Sequence, residues 1–136
     1  MIQPIVHDAL LLARPSRKAE ASDVPTADDL LDTLRAHAQE CVGMAANMIG
    51  VPVRIIVFDC DGSYLEMFNP EILSGKDRYD TEEGCLSLSG VRPCTRFRTV
   101  RVRWQDRQMR TRIRNFSGFS AEIIQHEVDH CNGILI

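Results

Sequence analysis

Gln125-His126-Glu127-Val128-Asp129-His130 lies close to the end of a 136-residue chain and decides how the rest is read. Residues four apart share one face of a helix, so both imidazoles can reach a single cation. Glu127, one position on from His126, points beside that cation, where it can take a proton from a bound water. For a chain with 4 His, chance produces this pattern roughly 0.007 times per sequence. The helix that carries it runs from about Ser117 to Cys131. Ser117 or Ser120 serves as its cap, and Asn132-Gly133 supplies a left-handed stop.

A catalytic site of this type takes three protein ligands and a water. In metzincins the third ligand is a histidine ten residues after the first. Here that position is Ile136, so the third ligand lies upstream, among Cys85, the other cysteines, His7, His37 and the carboxylates. Cys85 leads through its setting, Glu82-Glu83-Gly84-Cys85-Leu86-Ser87. The glycine beside it lets the backbone turn, and a metal-bound thiolate loses its proton outright. Cys60, in a turn, comes second. Cys41, Cys94 and Cys131 read as core or surface thiols, and His7 and His37 as surface or capping residues.

Composition agrees with one globular metalloprotein domain over residues 1–136, with 44% hydrophobic and 26% charged residues. No apolar run approaches the roughly 20 residues of a membrane span, and Met1 to Leu12 lacks the basic start of a secretory signal. Five cysteines without a CxxC pattern read as reduced thiols of a soluble cytoplasmic protein. The net charge of -3 hides an asymmetry, because nine arginines and one acid, Asp106, lie between Arg92 and Arg114. In Val100-Arg101-Val102-Arg103-Trp104 and Met109-Arg110-Thr111-Arg112-Ile113-Arg114 arginine alternates with mostly apolar residues, the period of a strand with one wet face. A contact with RNA or the ribosome is the second reading of that stretch. Neither a membrane nor DNA is expected as a partner.

Working outward from the final helix, Thr26 to Gln39 reads as an earlier one, capped by Thr26, with Leu30, Leu31, Leu34 and Ala38 as its apolar stripe. The small-residue segment Gly43 to Gly50 follows, where backbone can approach another group closely. Strand-like runs cover Val53 to Phe58 and Tyr64 to Phe68 around a turn at Asp59-Cys60-Asp61-Gly62, and Asn69-Pro70 is expected to break the second. Arg98 to Trp104 and Met109 to Arg114 make a further hairpin around Asp106-Arg107. Strands between an early and a final helix give an α+β class, with helices packed against antiparallel sheet.

Three segments in this order resemble the peptide deformylases: Gly43-Met44-Ala45-Ala46 with Ile49-Gly50, Glu83-Gly84-Cys85-Leu86-Ser87, and Gln125-His126-Glu127-Val128-Asp129-His130. The resemblance implies antiparallel strands packed around a C-terminal metal-binding helix, with an N-terminal helix. It implies Cys85, His126 and His130 as metal ligands and Glu127 as acid/base. It also implies the backbone N–H of Leu86 as oxyanion donor, with Gly43, Met44, Met48 and Leu88 holding substrate. The implied cofactor is one divalent ion, usually Fe(II), with zinc, nickel or cobalt able to substitute, and the implied reaction is removal of the formyl group from N-terminal formyl-methionine of nascent polypeptides. Glu83 is expected behind the ligands.

The chain departs from the family where a glutamine amide normally helps to stabilise the oxyanion. Met48 stands there, and a thioether donates no hydrogen bond; Asn47 carries an amide one position away. Two classes of function follow. One is a metallohydrolase of reduced activity. The other is a metal-binding paralogue that acts as a binding module for RNA or the ribosome. The retained Glu127 favours the enzyme, since structural metal binding needs no general base.

Overall fold

A computed structural model describes residues 1–136. Four consecutive buried apolar residues, Ile55-Ile56-Val57-Phe58, open strand Ile55–Cys60 (β2) and organise the molecule. Successive strand side chains point to opposite faces, so Ile55 and Val57 enter one core while Ile56 and Phe58 enter another. Gly43–Ala45 (β1) and Ser63–Cys85 (β3) flank β2, and Leu88–Gln105 (β4) and Thr111–Ser117 (β5) complete an antiparallel sheet in the order β1-β2-β3-β4-β5. The helices are Ala9–Leu12 (α1), Val24–Ala36 (α2) and Gly118–Cys131 (α3). Leu30 and Leu34 of α2 pack with Ile55, Val57 and Phe68. Ala121, Ile124 and Val128 of α3 pack with Ile56, Phe58, Val102 and Trp104. This is the α+β arrangement expected from the sequence.

Several boundaries differ for identifiable reasons. The second helix begins at Val24 rather than Thr26, with Pro25 in its first turn, where a missing N–H costs nothing, and it ends three residues short of Gln39. Asn69-Pro70 does not end its strand. Asn69 adopts φ +53°, its side chain bonds both backbone groups of Ala19 and the Gln105 amide, and the ladder resumes at Glu71 opposite Arg103. The pair is thus a bulge that bends the strand without terminating it. β3 and β4 then continue as one long hairpin to Cys85, which pairs with Leu88 across the two-residue turn Leu86-Ser87. Its charged, weakly alternating sequence hid this arm. Ser117 takes the N-cap position of α3 as expected, but its side chain makes no capping bond, and the buried Ser120 hydroxyl faces the Cys60 sulfur at 3.8 Å. The Asp106-Arg107 hairpin has a wider loop than expected, with Met109 at φ +62° and the Asp106 carboxylate accepting from the Gln108 and Arg110 N–H groups.

Candidate metal centre and its cleft

The long hairpin ends beside α3, and that meeting point assembles the site. Cys85 Sγ lies 3.3 Å from His130 Nε2, which lies 3.2 Å from His126 Nε2. All three ligand atoms fall within 4.8 Å of one another. Around a tetrahedral cation with bonds of about 2.3 Å to sulfur and about 2.0–2.1 Å to nitrogen, such atoms sit roughly 3.3–3.6 Å apart. The donor set therefore fits a divalent transition metal. His130 is fully buried. Burial, reinforced by the charges of His126 and Arg96, lowers its pKa to about 3 and keeps a ring lone pair free.

Behind the ligands runs a chain of charge-assisted bonds. His126 Nδ1 donates to Glu83 Oε1 at 2.8 Å, which directs Nε2 toward the other ligand atoms. Glu83 is gripped by Arg96 through Nε at 3.1 Å and Nη2 at 2.8 Å, and Arg96 Nη1 donates to Asp129 Oδ2 at 2.7 Å. Glu83 and Arg96 are both buried. Glu83 thus takes the position expected of it. Arg96 and Asp129 were not singled out from the sequence: the arginine was one of nine in a basic stretch, and the aspartate sat inside the histidine motif without an assigned task. Gln125 adds a clamp, accepting from Phe97 N at 2.8 Å and donating to Phe97 O at 2.9 Å, and so pins α3 to β4. Replacing Arg96 with Met leaves the half-buried Asp129 without its ion-pair partner and the buried Glu83 with His126 alone. The expected cost is about 3–5 kcal/mol of stability, read from the denaturant midpoint, with metal affinity falling about 10- to 100-fold.

In front of the ligands opens a cleft of ≈ 540 Å³, lined in part by Gly43, Met48, Cys85, Leu86, Leu88, His126 and Glu127. Glu127 is 4% exposed, and its Oε1 has no hydrogen-bond partner. Burial pushes it up to about 7 against the pull of the His126 charge, so it can exchange a proton near neutral pH. Gly43 faces it across the cleft wall. A β-carbon on Gly43 would sit 2.7 Å from Ile123 Cγ2, closer than real contacts allow, and 3.1 Å from Glu127 Oε2, a contact so tight that the neighbour must give way. Gly43→Ala is therefore expected to displace Glu127 and Ile123, lowering kcat/KM by about 100-fold and stability by about 1–3 kcal/mol, measured by kinetics and thermal melting on one sample.

Other candidates fall elsewhere. Met44, expected at the substrate, is fully buried in the α2-side core. It pairs with Val57 while Gly43 pairs with Phe58, and strand alternation sends neighbours to opposite faces. The Asn47 amide does not take over for the missing glutamine, because its Nδ2 donates to the His130 carbonyl oxygen at 2.9 Å. Cys60 faces Ser120, Cys94 and Cys131 are outside the ligand group, and His7 and His37 meet the Ser87 carbonyl oxygen and Glu40. Cys41 lines the cleft, with its thiol bonded to Gly43 O and pushed up to about 12 by burial. Arg96, Arg103, Arg107, Arg110 and Arg112 all pair with acids of the same chain. Arg98 and Arg114 stack on Tyr79 and Phe116, 4.5 and 4.6 Å from the ring centroids. Self-pairing on this scale weighs against a face kept free for RNA.

A family model described as Polypeptide deformylase matches residues 3–136. A peptide deformylase of Clostridium beijerinckii is 49% identical over 136 residues, the full length of both chains. One from Syntrophomonas wolfei is 38% identical over 126 residues, covering 90% of this chain and 80% of its own. Among solved structures, a class I type b peptide deformylase from Acinetobacter baumannii with Met-Ala-Ser bound superposes with a TM-score of 0.90 at 28% identity, covering 99% of this chain and 97% of its own. The peptide deformylase of Thermotoga maritima gives 0.89 at 26% identity, covering 99% of this chain and 95% of its own.

Proposed function

Because this chain belongs to the polypeptide deformylase family, metallohydrolases that remove the formyl group from N-terminal formyl-methionine, we propose that it does so as one domain over residues 1–136, with Cys85, His126 and His130 holding one catalytic metal. Iron(II) is the proposed native ion, and zinc, nickel or cobalt suit the same sulfur and imidazole donors. A divalent cation bound there supplies Lewis-acid activation of water and of the formyl carbonyl.

The chain's own groups do the rest. Glu127 Oε1, buried and unpartnered, takes the proton from the attacking water and passes it to the leaving amine nitrogen. The Leu86 N–H donates to the developing oxyanion. Glu83 keeps His126 in the tautomer that leaves Nε2 unprotonated. Backbone at Gly43 and Leu88, both of which line the cleft, holds the peptide extended. The partner is the formylated nascent chain, and the working compartment is therefore the cytoplasm; no helix of the chain is long and apolar enough to cross a membrane. Arg92 and Arg101, the two arginines of the basic stretch that neither pair with an acid nor stack on a ring, are the ones left for a ribosome contact.

The observation that carries this reading is an unpaired, buried carboxylate beside three converging ligand atoms. Anaerobic turnover of a formyl-methionyl peptide by iron-loaded protein tests it. Turnover should disappear with a chelator and return with added metal. A silent protein with stoichiometric metal would leave the binding-module reading in its place.

A further inference from the structure

Resting on the reading of the Leu86 N–H as oxyanion donor, we propose that His7 is a positioning residue, which tethers the Leu86-Ser87 turn and so fixes the direction of that N–H. Cys85 pairs with Leu88 across the turn. Beyond that pairing the two turn residues make a single hydrogen bond, from His7 Nδ1 to the Ser87 carbonyl oxygen at 3.0 Å. A carbonyl only accepts, so Nδ1 carries the proton. The Ser87 hydroxyl is buried without a partner, and the Leu86 N–H is left free for a ligand. A donor carried on a loop is only as precise as the bonds that support it. Here that support is His7.

The chain on either side of His7 is itself anchored. Val6 N donates to the Met48 carbonyl oxygen at 2.8 Å. Asp8 caps α1 by accepting from Leu10 N at 2.9 Å, and Leu12 of that helix is fully buried. Ile5 and Val6 pack against the same core as Leu86 and Leu88. Two consecutive residues thus tie the turn to the segment that carries Met48, with one bond to each. His7 is exposed and belongs neither to the cleft lining nor to the ligand group, so it acts through Ser87. Because a peptide unit is planar, holding the Ser87 oxygen also holds the Leu88 N–H, which restrains rotation of the turn between its two strands. The oxyanion donor serves charge that develops only in the transition state. Loosening it therefore lowers kcat and spares KM.

The test compares wild type, His7→Ala and His7→Asn, the last because its Nδ2 can donate to the same carbonyl. Backbone 15N relaxation of the zinc-loaded proteins reads the order of Leu86 and Ser87, and turnover of a formyl-methionyl peptide by the iron-loaded proteins reads the chemistry. Wild type should show an order parameter of about 0.85 in the turn, falling toward about 0.6 in His7→Ala. The same variant should lose about tenfold in kcat at unchanged KM, and His7→Asn should recover most of both losses. An ordered turn or an unchanged kcat in His7→Ala would overturn the inference. So would His7→Asn behaving like His7→Ala, since the hydrogen bond would then not be what matters. A turn that loosens in His7→Ala and tightens in His7→Asn, in a protein whose wild type hydrolyses no formylated peptide, upholds the tether and overturns the deformylase reading instead.

Discussion

Glu127→Gln lowers kcat by about 10²–10⁴-fold, the usual worth of a positioned general acid/base, while bound metal stays at the wild-type level. The size of the effect follows from the cleft's composition. Gln125 is committed to Phe97 and Ala121, and Glu83 to Arg96 and His126. No other side chain beside the ligands is both buried and unpartnered on an oxygen facing the cleft. The substitution keeps the shape of the side chain and leaves Cys85, His126 and His130 untouched, so metal content separates loss of proton transfer from loss of the site. A kcat within about threefold of wild type, far inside the range of general acid/base effects, would mean that another group carries the proton.

Met48→Gln raises kcat by about 10- to 100-fold with little change in KM. Met48 is 1% exposed, packs in the α2-side core and reaches the cleft wall. Its thioether donates nothing, and Asn47 is spent on the His130 carbonyl. No other side-chain donor therefore compensates along this segment. Glutamine is unbranched and of similar length, so the pocket accepts it with little repacking. The gain stays below the roughly 10²–10³-fold that deleting an oxyanion donor costs elsewhere, because that figure comes from sites built around the donor. The new amide lacks a partner before the oxyanion forms, and burying it should cost about 1–3 kcal/mol. A faster but less stable enzyme is the expected signature, measured by steady-state kinetics and chemical denaturation together. An unchanged kcat would show that the oxyanion is already fully served by backbone donors.

How much of this was legible beforehand differs residue by residue. His126, Glu127 and His130 were readable because they are local: four residues make one helical turn, and their chemistry needs no distant partner to be recognised. Cys85 could be ranked first from its glycine neighbour, but its match to the histidines lies 45 residues away in sequence. The start of the early helix was less legible, because Thr26 looks like a cap but lies inside α2, which begins at Val24, whereas Ser117 does hold the N-cap position of α3, without a side-chain bond. Arg96 was hidden in plain view. In the alternation of β4 it resembles its solvated neighbours, yet it is 5% exposed and joins Glu83 to Asp129.

The sequence by itself determined the helix that bears the metal motif, with its two histidines and the acid between them, and the antiparallel strands, since periodicity and spacing are properties of neighbouring residues. Only the tertiary structure decided which cysteine meets the histidines, that Asn69-Pro70 bends a strand without ending it, and that Met44 faces the core while Gly43 faces Glu127. Those outcomes depend on register between strands far apart in the chain. A slip of one residue would exchange every inward and outward side chain, and local pattern alone cannot choose between the two.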